Sequence, residues 1–143
     1  LLAAGKWKEA DEETGKIMYQ CVGRERQEWL DAETINTFPC EDLRTINQLW
    51  LHYSNGKFGF SVQKEIYESL GGTREYNEEV WKKFGDRVGW RKGGSWLYSS
   101  DLTYSDEAPK AHLPNTLFIG WRWWYEEMVK KGISFSRAKA CNL

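Results

Sequence analysis

Apolar residues recur at helical spacing along most of this chain, and this periodicity restricts the fold more than any other feature. The first such stripe is formed by Trp7, Ala10, Thr14, Ile17, Met18 and Cys21. A second helix begins after Phe38-Pro39, and its stripe at i, i+3, i+4 and i+7 is formed by Ile46, Leu49, Trp50 and Tyr53. The pattern predicts an all-α domain.

Three more helices are indicated by their end signals. One runs from about Ser61, which we expect to be its N-cap, to Leu70, where Gly71-Gly72 stops it. Another begins near Asn77, and its apolar positions at i, i+4 and i+8 are Val80, Phe84 and Val88. The last follows Pro114 and ends at Gly132, with an apolar face of Leu117, Trp121, Trp124, Tyr125 and Met128.

The segment of residues 85–105 breaks this pattern. It holds four glycines together with Trp90, Trp96, Tyr98 and Tyr104. It is too rich in glycine for a helix interior, and its alternation is too irregular to predict strands. A long aromatic loop of this kind either borders a binding site or packs as an ordered surface loop, and the residues alone leave both readings open.

Length and charge exclude several classes of protein. The 143 residues favour one domain spanning residues 1–143. The 20 basic and 21 acidic residues nearly cancel, which argues against a nucleic-acid binder. No run of about 18 apolar residues could span a membrane. The chain begins Leu-Leu-Ala-Ala without Met, so we expect a fragment whose targeting or upstream segments lie outside this sequence.

The residues that usually carry catalysis give little support for an enzyme. The three cysteines are widely spaced and odd in number, which favours reduced thiols over a disulfide framework. Neither a zinc spacing nor a P-loop nor a nucleophile elbow is present. Of the two histidines, we expect His52 to be structural and His112 to cap backbone groups where the last helix opens.

Nine tryptophans exceed the needs of so small a core and point to a flat, apolar partner. A planar cofactor, a sugar, single-stranded nucleic acid or another protein would each fit this description. Nucleic acid is the weakest of these, because few basic residues are interleaved with the aromatic ones in residues 85–105.

Specific strings resemble one known family. They are Phe38-Pro39-Cys40-Glu41-Asp42-Leu43, Thr45-Ile46-Asn47-Gln48-Leu49-Trp50 and Tyr53-Ser54-Asn55-Gly56-Lys57-Phe58-Gly59-Phe60-Ser61-Val62-Gln63, supported by Ala10-Asp11-Glu12, Val88-Gly89-Trp90 and His112-Leu113-Pro114. They closely resemble the signature of the Genomes-Uncoupled-Four family, porphyrin-binding accessory proteins of magnesium chelatase.

The resemblance implies an all-helical domain shaped like a cupped hand that binds protoporphyrin IX or Mg-protoporphyrin IX without chemistry of its own. It also implies the large subunit of magnesium chelatase as a partner, peripheral association with membranes, and a monomer in a cyanobacterial cytoplasm, or in a chloroplast if the source is a plant or alga. The family's ligand-facing positions fall on Trp7, Ile35, Phe60, Tyr98, Leu102 and Tyr104. Lys16 and Arg122 are the candidate partners of the propionates.

Three departures from the family keep two alternatives open. Gly15 and Ala111 replace a basic residue and a glycine, and Arg122 is the only cation of the last helix before Lys130. A flexible open-chain bilin, bound non-covalently, would tolerate the loss of rigid propionate contacts. Trp123 points away from the apolar stripe of that helix, and an exposed indole there would suit a regulatory protein-interaction module.

Overall fold

Helices account for most of the computed structural model, which describes residues 1–21, 23, 32–115 and 135–143. Among these residues the helices are α1 (Trp7–Cys21), α2 (Ala32–Asn36), α3 (Cys40–Tyr53), α4 (Phe60–Ser69), α5 (Glu78–Val88) and α6 (residues 135–140). The expectation of an all-α domain is confirmed, apart from one two-stranded hairpin. The predicted helix after Pro114, with Arg122 and Trp123, lies outside the described residues.

Helix α1 packs on α3 through a buried hydrogen-bond chain. The indole Nε1 of Trp50 donates to Thr14 Oγ1 at 3.0 Å, and that hydroxyl donates to the carbonyl of Ala10 at 2.7 Å. The predicted stripe on α1 is therefore confirmed at Ala10, Thr14 and Met18, which are buried. It is wrong at Ile17, which is exposed because the buried stripe turns toward Asp11.

Helix α3 begins directly after Pro39, and its buried face is narrower than the periodicity predicts. That face consists of Leu43, Ile46, Asn47 and Trp50. Leu49 and Tyr53, predicted in the stripe, are exposed because the face centres on Leu43 and Asn47. His52 is exposed too, with its ring set edge-on against Tyr53 at 4.7 Å.

The N-cap predicted at Ser61 is wrong, since α4 begins one residue earlier at Phe60. The Ser61 amide donates instead to Asn47 Oδ1 at 3.0 Å, so α3 supplies the acceptor that a local cap would have provided. Gly59 allows this close approach, because a Cβ there would lie 2.9 Å from the same oxygen. A sequence pattern confined to α4 could not show this partner.

Helix α5 has the predicted start, because the side chain of Asn77 accepts a hydrogen bond from the Val80 amide at 3.1 Å. Strands β1 (Arg91–Lys92) and β2 (Ser95–Trp96) then form an antiparallel hairpin that the sequence did not predict. Gly93 and Gly94 both have positive φ, which a tight two-residue turn requires. Two of the glycines in the aromatic segment thus belong to this turn.

Two buried clusters make up the core of the described residues. The α1/α3 cluster contains Ala10, Met18, Ile35, Phe38, Leu43, Ile46, Trp50, Phe58, Phe60, Ala108, Leu113 and Cys141. The α4/α5 cluster contains Val62, Tyr67, Trp81, Phe84, Val88, Trp90, Leu102, Ala111 and Phe135. Tyr104 is partly buried and packs against both clusters.

The expectation of reduced cysteines is wrong for two of the three. Cys40 and Cys141 form a disulfide across a sequence separation of 101 residues, whereas Cys21 is a free thiol. The cysteine spacing did not predict this pair, because the fold brings the start of α3 and the end of α6 together from distant parts of the chain. In the folded structure the two Cα atoms are 5.3 Å apart, a distance that suits a disulfide.

Candidate functional site

Trp7 stands at the first position of α1 and is partly exposed, with one side of its indole held by other aromatic rings. Its ring stacks on Trp50 at a centroid distance of 6.2 Å and meets Phe58 edge-on at 5.4 Å. Both supporting rings belong to the α1/α3 cluster. The indole is thus fixed on a rigid base while part of its surface faces outward, as a wall for a flat ligand requires.

Ile35 and Phe60, the other two candidates from this side, lie deeper. Each is only 3% exposed, and both belong to the α1/α3 cluster. They therefore share a cluster with the base of Trp7. A ligand could touch them only after neighbouring side chains had moved.

The aromatic segment provides an outer and an inner layer of candidate residues. Tyr98 is 72% exposed, just before a 3-10 turn at Ser99–Asp101. Leu102 is buried in the α4/α5 cluster, and Tyr104 joins the two clusters. Of the loop candidates, Tyr98 offers the most surface to a ligand.

Tyr104 lies in a negative environment. Burial, together with the charges of Asp11 and Glu12, raises the pKa of its phenol to about 12. The phenol therefore stays protonated at neutral pH and can donate a hydrogen bond. The same charges would repel an anionic group placed beside Tyr104.

His112 anchors the aromatic segment to α5. The sequence predicted that this side chain would bond backbone groups at the start of the last helix, and it bonds backbone groups of α5 and the aromatic segment instead. The buried ring has Nδ1 2.7 Å from the Val88 carbonyl, and its Nε2 accepts the Thr103 amide at 3.0 Å. A carbonyl can only accept, so Nδ1 carries the proton. Burial lowers the pKa of His112, while the bond to Val88 acts in the opposite direction. The imidazole thus ties the end of α5 to the backbone between Leu102 and Tyr104.

Asp11 is a functional candidate that the sequence analysis missed. Its side chain is buried in α1, and both carboxylate oxygens accept the amide of Asn115, at 3.0 and 3.1 Å. It lies one turn before Thr14, on the same helix face, and that position was the available signal. The carboxylate fixes the chain just after Pro114.

Only one of the two candidate cations lies among the described residues. Lys16 is exposed on α1, whereas Arg122 lies outside the described residues. Across residues 1–21, 23, 32–115 and 135–143, no group of three or more His, Cys, Asp or Glu side chains could hold a metal ion. Within these same residues, no helix is long and apolar enough to cross a membrane.

Comparisons with known proteins give the same family as the sequence strings. A family model described as GUN4-like matches residues 1–132. A Ycf53-like protein of Synechocystis is 34% identical over 116 residues, or 79% of this chain and 47% of that protein. A protein of Arabidopsis thaliana named "Tetrapyrrole-binding protein, chloroplastic" is 30% identical over 115 residues, or 77% of this chain and 43% of that protein. The chain thus spans less than half the length of these two relatives.

Two solved structures are similar over nearly the whole chain. The ligand-free structure of Arabidopsis thaliana GUN4 aligns with a TM-score of 0.72 at 25% identity, covering 93% of this chain and 89% of that one. GUN4 from Chlamydomonas reinhardtii aligns with a TM-score of 0.71 at 27% identity, covering 93% and 81%. The molecule is therefore a mostly helical domain of the fold shared by these proteins. It belongs to the GUN4-like family, and the resemblance to the Genomes-Uncoupled-Four family is confirmed.

Proposed function

We propose that this domain binds a tetrapyrrole non-covalently, as protoporphyrin IX or Mg-protoporphyrin IX, and acts as a regulator rather than as an enzyme. The observation that carries the proposal is membership of the GUN4-like family together with the match to the Arabidopsis protein named for tetrapyrrole binding. Relatives in Synechocystis and in chloroplasts are consistent with a role in chlorophyll biosynthesis through the large subunit of magnesium chelatase.

The residues support this proposal on chemical grounds. A tetrapyrrole needs apolar walls for its two faces and polar groups at its edge. Trp7 offers a rigidly backed indole, and Tyr98 offers an exposed phenol on the aromatic segment. Leu102 and Tyr104 would form the floor of the loop side, and Ile35 and Phe60 would contribute when the cluster around them adjusts.

Charge suggests how the pigment would be oriented. The charges of Asp11 and Glu12 make the surroundings of Tyr104 negative and add to burial, the larger cause, in raising the pKa of its phenol. Propionates would therefore point away from Tyr104, and the exposed Lys16 is the described cation that we propose as a partner for them, with Arg122 as the second candidate from the sequence. In this arrangement the macrocycle lies against the aromatic side chains while its carboxylates remain near cations.

Absorbance and tryptophan fluorescence titrations would test the proposal directly. Adding protoporphyrin IX at micromolar concentrations should shift the Soret band and quench tryptophan emission. A parallel titration with an open-chain bilin distinguishes the pigments, since saturation by the bilin alone would assign the site to that class. No spectral change with either pigment would refute tetrapyrrole binding.

Variants of exposed tyrosines give the sharpest test of the site. Phe60→Ala should weaken binding more than Phe58→Ala, but both rings are buried, so each change also disturbs the core. Tyr98→Ala avoids this difficulty, because its side chain is 72% exposed. Tyr53→Ala, at a 42% exposed tyrosine on α3, is the matched control. We expect Tyr98→Ala alone to raise the Kd, and equal effects of the two tyrosine variants would remove Tyr98 from the site.

The chelatase role has its own test. The domain is added with and without bound porphyrin to magnesium chelatase reconstituted from its subunits, and magnesium insertion is followed by fluorescence. Stimulation is expected with the pigment-loaded domain. An unchanged rate with a domain that binds pigment normally would refute the chelatase role and leave tetrapyrrole binding intact.

A further inference from the structure

The Cys40–Cys141 disulfide crosslinks two segments that are 101 residues apart in the sequence. Cys40 is the first residue of α3, and Cys141 follows directly after α6. The segment that Cys141 closes, residues 135–143, reaches from one cluster to the other. Phe135 is buried in the α4/α5 cluster and Cys141 in the α1/α3 cluster.

Apart from the disulfide, polar contacts to backbone carbonyls hold the end of this segment. Arg44 donates to the carbonyl of Cys141 at 2.9 Å, and Lys64 Nζ donates to that of Leu143 at 2.6 Å. Arg137 Nε donates to the carbonyl of Phe38 at 2.9 Å. All three are only partly buried, so each adds modestly to the stability of the segment. The crosslink is therefore the strongest single restraint on residues 137–143, whereas the buried Phe135 ring holds the start of the segment.

The two sulfur-bearing residues differ in accessibility. Cys40 is partly exposed, whereas Cys141 is 1% exposed. An attacking thiolate needs in-line access to a sulfur, so it reaches Cys40 first. The third cysteine is unsuited to attack, because burial and the neighbouring Asp42 raise the pKa of the Cys21 thiol.

We propose that the Cys40–Cys141 disulfide is a thiol-controlled latch, opened by a dithiol reductant that attacks Cys40. The entering thiolate forms a mixed disulfide with Cys40 Sγ, and the S–S bond to Cys141 breaks, so that Cys141 leaves as a thiolate and takes up a proton. The second thiol of the reductant, as a thiolate, then attacks the reductant's first sulfur in the mixed disulfide, and Cys40 leaves as a thiolate that takes up a proton. The dithiol supplies two electrons and two protons and ends as a disulfide.

Opening the latch would loosen residues 137–143 without unfolding the rest of the domain, because Phe135 at the start of the segment stays packed in the α4/α5 cluster. After reduction, only the apolar packing of the segment and the polar contacts of Arg44, Lys64 and Arg137 would oppose its opening. Local opening of the segment therefore becomes easier, while α5 should keep its stability. This inference does not depend on the pigment.

Limited trypsin digestion of oxidised and reduced protein would test the latch, because Arg137 and Lys139 are cleavage sites within the segment. Reduction with dithiothreitol should speed cleavage after these residues by about tenfold or more. Cleavage at Lys82 and Lys83 in α5 should stay unchanged, and this separates local release from global unfolding. Equal rates at Arg137 and Lys139 in the two states, or equal acceleration at all four sites, would overturn the proposal.

Single-cysteine variants would test the direction of attack. In Cys21→Ser/Cys141→Ser only the Cys40 thiol remains, and in Cys21→Ser/Cys40→Ser only the Cys141 thiol remains. Iodoacetamide should alkylate Cys40 on the order of tenfold faster than Cys141 in the folded variants. Equal or reversed rates would overturn attack at Cys40. If either variant fails to fold, the mixed disulfide formed by a monothiol on the wild-type protein is located by peptide mass spectrometry, and an adduct on Cys141 would be the contrary result.

Discussion

Replacing His112 with leucine would test the central anchor of the aromatic segment. The side chain is 2% exposed, and its two ring nitrogens bond the Val88 carbonyl and the Thr103 amide. Leucine is close to histidine in volume, so His112→Leu removes both hydrogen bonds while leaving little cavity. In the variant, the buried Val88 carbonyl loses its donor and the partly buried Thr103 amide loses its acceptor.

The expected loss follows from those two groups. An unsatisfied buried acceptor costs about 1–3 kcal/mol of the free energy of unfolding, and losing the part-buried bond to Thr103 adds about 0.5–1.5 kcal/mol, so the expected loss is about 1.5–4.5 kcal/mol. The matched control is His52→Leu at the other histidine of the chain, which is exposed on α3. Surface changes of that kind usually alter stability by less than about 0.5 kcal/mol.

Urea denaturation at pH 7.5, followed by circular dichroism, measures both variants against the wild type. His112→Leu should lower the free energy of unfolding by the amount given, and His52→Leu should leave it nearly unchanged. A loss below about 1 kcal/mol for His112→Leu would refute the view that these bonds anchor the loop.

The pH dependence of stability provides an independent check. Burial lowers the pKa of His112 below the ordinary value of 6.5, so the folded state favours the neutral ring. The unfolded chain therefore binds a proton first as the pH falls, and the contribution present above pH 6.5 is lost progressively below it. His112→Leu should lack this part of the acid destabilisation, and an unchanged slope between pH 6.5 and pH 5 would contradict the assignment.

Two further substitutions test the close approach of Gly89 to His112 and the reactivity of the Cys21 thiol. Gly89→Ala should destabilise the domain more than Gly71→Ala in urea denaturation, because both have positive φ but only a Cβ at Gly89 meets His112 Nδ1, at 2.9 Å; equal losses would show that φ alone matters. Asp42→Asn should speed alkylation of Cys21 by iodoacetamide, because the carboxylate helps burial to raise the pKa of this thiol. An unchanged rate would remove Asp42 as a cause.

Much of the helical layout could be predicted from the sequence because the signals are local. The start of α3 follows Pro39, and α5 begins where Asn77 caps it. Trp50 was expected in the buried stripe of α3 and is 1% exposed. In each case the deciding residues lie within a turn or two of the feature that they determine.

Burial within a stripe was less predictable. Periodicity assigns a helix face, but the width and direction of that face depend on which element packs against it. Ile17, Leu49 and Tyr53 match the helical period and are nevertheless exposed. Asp11 was not singled out for burial by its pattern and is buried, with its carboxylate accepting the amide of Asn115.

The sequence by itself determined the family and the helical class, and it singled out the aromatic segment while leaving open whether a ligand binds there. Only the tertiary structure decided how His112 is used and that Cys40 meets Cys141 across 101 residues. The reason is physical: helix signals act between residues a few positions apart, whereas a buried hydrogen bond or a disulfide needs two distant segments to meet. No local pattern encodes that meeting.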